Sequence, residues 1–190
     1  REIIQILAER GIPTGAVTAV ASVRSVGTEV SYGDDDVLKV QNLEEFDFGN
    51  TDIVLSSPGA QVSAGFAPRA TAAGAILIDN TSQFRMDPDV PLVVPEVNPE
   101  AVAQYRNKNI IANPNCSTIQ MVVALKPIHD VAGIRRIVVS TYQSVSGVGK
   151  AGMDELFNQT RGVYVNEPAE KFKENFGKPI AFNVIPHIDG

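Results

Sequence analysis

Residues 51–79 read TDIVLSSPGAQVSAGFAPRATAAGAILID. Two short runs rich in branched aliphatic residues, 51–56 and 75–79, flank an alanine-rich stretch, 62–73, that reads as a helix. The first run stops at Ser57-Pro58-Gly59. Strands alternating with helices, each strand short and apolar, argue for a parallel α/β sheet covered on both faces. The same texture continues outward. Residues 17–21 form another β-branched run, and 92–94 and 109–112 form two more, with 99–105 between them as a helix carrying Pro99 in its first turn. Upstream, Ile3, Ile4 and Leu7 recur at helical spacing over residues 1–10, and Gly11 supplies a stop.

Beyond residue 112 the texture changes. A helix carrying Ile119, Val122, Val123 and Leu125 leads to a long expected strand over 135–145. Further helices are expected near 153–159 and 169–175, and a last strand over 181–185. These readings divide the chain near 111–113 into residues 1–112, an α/β unit, and residues 113–190, a second unit. Both ends read as truncations: the chain opens on Arg1 inside a helix and closes just after a strand.

Of the 190 residues, 44% are apolar and 20% charged, as in an ordinary globular protein. The formal charge of −6 argues against a general nucleic-acid binder, which needs a basic face for phosphates. No apolar run is long enough to span a bilayer, and no signal peptide is visible. A single cysteine rules out a disulfide within the chain and fits a reducing cytoplasm. The acidic residues at 34–36 read as a solvated turn, because no further ligands follow at calcium-loop spacing.

Three clusters carry chemistry. The first is Asn113-Pro114-Asn115-Cys116-Ser117-Thr118. Pro114 ends an extended segment and places Cys116 in the first turn of an apolar helix. Unsatisfied N–H groups and the macrodipole stabilise an anion there, and a thiolate so placed attacks a carbonyl or acyl phosphate. The alternative is a small buried cysteine, with Ser117 and Thr118 as helix caps. The second cluster, Asp79 to Asp87, follows the end of a strand, where open α/β sheets bind ligands. In it Arg85 is a candidate anion clamp, or else pairs with Asp87 or Asp89. In the third, Tyr142 to Gly149, Gln143 could orient a substrate carbonyl or face solvent, and Gly147 and Gly149 permit close approach of a flat ligand or form a simple turn.

Cofactor choice is legible after the 17–21 strand. A carboxylate at that point of a dinucleotide-binding sheet favours NAD, whereas a basic or hydroxyl residue accepts the 2′-phosphate of NADP. Here the chain runs Ser22-Val23-Arg24-Ser25-Val26-Gly27, with no carboxylate before Glu29. Arg24 offers a fork of donors, and Ser22 and Ser25 offer hydroxyls; the alternative is a solvated arginine in a turn. Ser57, Gly147 and Gly149 complete the candidate cofactor set. His129 reads as a helix-end cation, and His187 as a loop residue.

These clusters, in this order, resemble the aspartate-semialdehyde dehydrogenase family. The resemblance rests on residues 21–27, 79–85, 94–98, 113–120 and 142–149 and extends over essentially the whole chain. It implies a Rossmann-type dinucleotide-binding domain followed by part of an α+β catalytic and dimerisation domain. It implies NADP as cofactor and reduction of L-aspartyl 4-phosphate to L-aspartate 4-semialdehyde, a step of lysine, threonine and methionine biosynthesis. Cys116 would form the acyl-enzyme thioester, Gln143 would position the substrate, Arg85 and Asn115 would bind phosphate, and Ser22, Arg24 and Ser25 would hold the 2′-phosphate. The partners implied are a small-molecule substrate, phosphate and a second copy, in a homodimer or homotetramer. The family's Gly-rich loop is expected before Arg1 and its acid/base histidine beyond Gly190, so the 190-residue chain alone is expected to be inactive. The rival readings are N-acetyl-γ-glutamyl-phosphate reductase and glyceraldehyde-3-phosphate dehydrogenase, which share the cysteine thioester, and a non-catalytic structural or dimerisation piece.

Overall fold

The alanine-rich stretch forms helix α2 (Ala60–Ala72). It buries Ser63, Phe66, Ala67 and Ala70, spaced as one helical stripe. Three of the four are small, so the helix lies close against the sheet beneath, and Phe66 fills the remaining volume. Burying that one ring contributes roughly 2–3 kcal/mol. Gly59 starts the helix at φ 111°, a backbone conformation that side chains disfavour, and so lets strand turn into helix within three residues.

The structure, a computed structural model, describes residues 2–11, 15–34, 36–168, 171 and 173–186. It divides into two units, Arg1–Arg135 and Arg136–Gly190. The first opens with α1 (Glu2–Glu9), followed by β1 (Val20–Ala21), β2 (Glu29–Tyr32), β3 (Asp36–Lys39) and β4 (Gln41–Asn42). Then come β5 (Ile53–Ser56), α2, β6 (Ile76–Asp79), β7 (Ile110–Ala112) and α3 (Cys116–Ala132). β5, β6 and β7 form a parallel ladder in that order, registering Ser56 with Asp79 and Asp79 with Ala112. β1 pairs in parallel with β4, and β2 with β3 as a hairpin. Phe48, Phe66, Leu77, Val90 and Ile110 centre the core.

Several expectations are amended in this unit. Only residues 20 and 21 of the expected 17–21 strand form a ladder. Of residues 92–94, Leu92 makes a single bridge to Ala112. The expected helix after Asn98 is a 3-10 helix, Pro99–Asn107. The β2–β3 hairpin had no counterpart in the sequence reading, because its strands carry Glu29, Ser31, Asp36 and Lys39 and lack an apolar run. α3 runs on past Pro127 to end at Gly133, whose φ is 66°.

In the second unit a 3-10 turn (Val145–Val148) leads into helix α4 (Lys150–Tyr164). The expected long strand over 135–145 is not formed: residues 134–144 carry no regular secondary structure. Its β-branched residues favour an extended backbone, but a ladder also needs a partner strand, and none is present among the described residues. Val138, Val139 and Tyr142 are exposed. Residues 181–185 likewise form no strand, and residues 171 and 173–175 form no α-helix. The unit is held by polar groups instead. Glu155 and Gln159, one turn apart on α4, are both buried. Glu155 Oε2 accepts from the backbone N–H of Asn175 (2.5 Å) and from its side-chain amide (3.0 Å). Glu155 Oε1 accepts from Gln159 (2.9 Å), and Gln159 Oε1 accepts from the N–H groups of Ile180 (2.7 Å) and Ala181 (3.1 Å). Gly152 packs so tightly that a Cβ there would stand 2.9 Å from Val148 Cβ and 3.0 Å from the Val145 carbonyl oxygen.

Candidate active site

In-register pairing brings the carboxyl ends of β5, β6 and β7 side by side, and open parallel sheets bind ligands beyond that edge. Ser57, Asn80 and Asn113, each one residue past its strand, form a row. The Asn80 side-chain amide donates to Ser57 Oγ (3.2 Å), and that of Asn113 donates to Asn80 Oδ1 (2.6 Å). Arg85 clamps the row from above its backbone: Nε donates to the Asn113 carbonyl (2.9 Å) and Nη2 to that of Asn80 (3.0 Å). Arg85 therefore does not make the ion pair with Asp87 or Asp89 that the sequence left open. Lys108 takes those carboxylates, at 2.7 and 3.5 Å. Its hydrogen bond to Asp87 holds that carboxyl below its ordinary pKa and raises the lysine's own.

Beneath this row lies a buried polar network. Asp79, with no exposed surface, accepts from the Ser63 hydroxyl at Oδ1 (2.8 Å) and from the Thr81 hydroxyl at Oδ2 (2.6 Å). The Thr81 N–H adds a third bond to Oδ1 at 3.3 Å. Ser63 has one hydroxyl hydrogen and spends it on Asp79, so the 2.9 Å bond between Ser56 and Ser63 has Ser56 as donor. Asn80 and Asn113 fall within clusters singled out in the sequence but had no role there, and this network was missed. The one available signal was a serine on the buried stripe of α2, which only a polar partner would satisfy.

The row continues into Asn113-Pro114-Asn115-Cys116. Asn115 caps α3, its Oδ1 accepting from the Ser117 N–H (3.0 Å), a role the sequence offered to Ser117 or Thr118. Cys116 is the first residue of the helix and is exposed in this chain. His129 Nδ1 accepts from the Ile134 N–H (3.2 Å) at the far end of the same helix, a local structural contact.

Ser22, Arg24 and Ser25 occupy the turn after β1, where Val23–Ser25 forms a short 3-10 helix. Ser22 and Arg24 are exposed, and Ser25 is half-buried. Beside the turn, Val26, Gly27, Lys39 and Gln41 help line a hollow of about 470 Å³. Gln143, Gly147 and Gly149 belong to the second unit. Gln143 is exposed, Gly147 lies in the 3-10 turn, and Gly149, at φ 88°, joins that turn to α4. His187 lies outside the described residues.

A parallel sheet with a helix-starting cysteine at its carboxyl edge and an arginine turn after β1 defines the class: a dinucleotide-binding α/β domain, joined here to a second unit. Residues 1–105 match the family described as semialdehyde dehydrogenase, NAD binding domain, and residues 125–190 the semialdehyde dehydrogenase dimerisation domain. The chain belongs to the semialdehyde dehydrogenase family. It is 56% identical over 186 residues to aspartate-semialdehyde dehydrogenase 2 of Vibrio cholerae, covering 98% of this chain and 54% of that protein. Its structure resembles that of aspartate semialdehyde dehydrogenase II from the same organism complexed with ASA, at TM-score 0.94 and 54% identity, over 100% of this chain and 55% of that one. It also resembles the Candida albicans aspartate semialdehyde dehydrogenase structure with NADP, at TM-score 0.52 and 31% identity, over 63% of this chain and 40% of that one. The chain thus spans about half the length of the curated relatives it matches.

Proposed function

We propose that the protein to which this chain belongs is an NADP-dependent aspartate-semialdehyde dehydrogenase, reducing L-aspartyl 4-phosphate to L-aspartate 4-semialdehyde and releasing phosphate. The observation that carries this reading is Cys116, exposed at the start of an Asn115-capped helix on the sheet's carboxyl edge, in a chain this similar to aspartate-semialdehyde dehydrogenases. In the proposed reaction Cys116 Sγ attacks the acyl carbon and phosphate leaves, so a thioester replaces the acyl phosphate and one hard step becomes two easier ones. Arg85 and Asn115 hold the departing phosphate. The two carbonyls that fix the Arg85 guanidinium orient its remaining donors, and Asn115 keeps its Nδ2 donors while its Oδ1 serves the cap. Gln143 positions the substrate. The cofactor supplies the hydride that reduces the thioester. Ser22, Arg24 and Ser25 fit its 2′-phosphate, since an exposed arginine and two hydroxyls follow β1 before any carboxylate; Ser57, Gly147 and Gly149 are further cofactor candidates. In this reading residues 1–112 bind the cofactor and residues 113–190 carry catalysis and pairing. The exposed Val138, Tyr142, Phe157 and Tyr164 support pairing of two copies through the second unit.

The test is the reverse reaction of the complete protein, with L-aspartate 4-semialdehyde and NADP, followed as NADPH absorbance. Formation of NADPH should require inorganic phosphate; oxidation at the same rate without phosphate or arsenate would refute the assignment. Two substitutions probe the parts. Arg24→Ala should raise the KM for NADP by about 10- to 100-fold, the consequence of losing a charge-assisted contact, and leave that for NAD nearly unchanged. Equal losses for both cofactors would remove Arg24 from the 2′-phosphate site. Arg85→Lys should raise the KM for phosphate by about tenfold or more, because an ammonium cannot span two carbonyls and present a fork. An unchanged phosphate dependence would confine Arg85 to bracing the loops.

A further inference from the structure

The geometry points to Asp79 as a positioning residue for the phosphate pole of the site, acting through Thr81 to set where Arg85 stands; this rests on the assignment of Arg85 to phosphate proposed above. Asp79 has no exposed surface, and both its carboxylate oxygens are engaged. A buried carboxylate is expensive unless it is well hydrogen-bonded, and an apolar residue would fill the same place at no such cost. Joining α2 to the sheet does not require one, since Ala67 and Ala70 join the same helix to the core without polar contacts. What the carboxylate uniquely does is gather the chain that follows it. Thr81 gives both its N–H and its hydroxyl to Asp79, and Thr81 Oγ1 in turn accepts from the Gln83 N–H (3.2 Å). Residues 79–83 are thereby wound round one carboxylate, and two residues on, the Arg85 guanidinium meets the carbonyls of Asn80 and Asn113. Ser63, held in turn by Ser56, fixes the other side of the carboxylate from a separate helix. The turn that delivers Arg85 is therefore registered against α2 as well as against β6.

The hydrogen inventory predicts what neutralising the carboxylate does. In Asp79→Asn one oxygen becomes an N–H₂ group facing Ser63 or Thr81, whose hydroxyl hydrogen already points at it. One hydroxyl must turn away, and the winding of 79–83 loosens. The test uses the complete protein with four variants: Asp79→Asn, Thr81→Val, Thr81→Ser and the Asp79→Asn/Thr81→Val double. Steady-state kinetics with inorganic phosphate as the varied substrate is paired with thermal melting. Protection of Cys116 from iodoacetamide by inorganic phosphate serves as a readout independent of turnover. Asp79→Asn and Thr81→Val should each raise the KM for phosphate, and the phosphate needed for protection, by about tenfold, with kcat within about threefold, the signature of lost binding rather than lost chemistry. Thr81→Ser should restore parental values, and the double variant should be no worse than the poorer single, because both act on one bond. An unchanged phosphate KM in Asp79→Asn would overturn the proposal. So would a fall in Tm with kcat and every KM altered alike, or Thr81→Ser behaving as Thr81→Val does. If Asp79→Asn does not fold, Thr81→Val against Thr81→Ser makes the same comparison. A parent protein whose turnover ignores phosphate overturns the underlying reading as well. A phosphate-dependent parent with an unaffected Asp79→Asn variant overturns this inference alone.

Discussion

Replacing Cys116 with serine is expected to reduce turnover by on the order of 10⁴-fold or more while leaving cofactor affinity close to parental, because the change touches the nucleophile and none of the groups assigned to the nucleotide. The serine hydroxyl is nearly isosteric and can occupy the same first position of α3, and the Asn115 cap does not involve the Cys116 side chain. Loss of activity would therefore report chemistry rather than folding, which circular dichroism of the variant checks. Mapping the alkylated peptide to residues around Cys116 identifies the reacting thiol. Turnover by the serine variant within about tenfold of the parent would place the covalent step elsewhere.

The second large effect is on stability. Glu155→Gln is expected to destabilise the second unit by about 2–4 kcal/mol, since it puts an amide N–H₂ group against donors already aimed at a buried carboxylate. The N–H and the side-chain amide of Asn175 both point at Oε2, and the Gln159 amide points at Oε1, so neither orientation of a glutamine amide satisfies all three. The local readout is amide hydrogen exchange at Asn175, Ile180 and Ala181, which should accelerate well before the amides of β6 respond. Protection at these three sites equal to the parent's would mean that the 175–181 loop is held by something other than α4.

The strand–helix–strand core at 51–79 was readable because its signals are local: apolar runs of strand length, a helix-length alanine stretch, and turn residues between them. The start of α3 was readable for the same reason, with proline and asparagine standing just ahead of an apolar helical run. What escaped was whatever depends on a partner. The bond between Ser63 and Asp79 spans sixteen positions, and the amide pair of Asn80 and Asn113 spans thirty-three, so no window of local sequence contains either. The same limit explains the misread segment over 135–145. Ile137, Val138 and Val139 report a backbone preference, but strand pairing is a property of two segments, and only one is present among the described residues. The hairpin of β2 and β3 shows the converse, a pair of strands with a partner and no apolar signature.

Gly152 carries a consequence for how this sequence can drift. At position 148 only glycine would remove the Cβ that a side chain at 152 would meet, since every other residue keeps that atom. The other contact is the carbonyl of Val145, a backbone atom that stays in place whichever amino acid is encoded there. No second-site change can therefore fully open position 152. A side chain at 152 requires the Val145–Val148 turn to shift, and a saturation library at this position should be strongly enriched in glycine among folded clones.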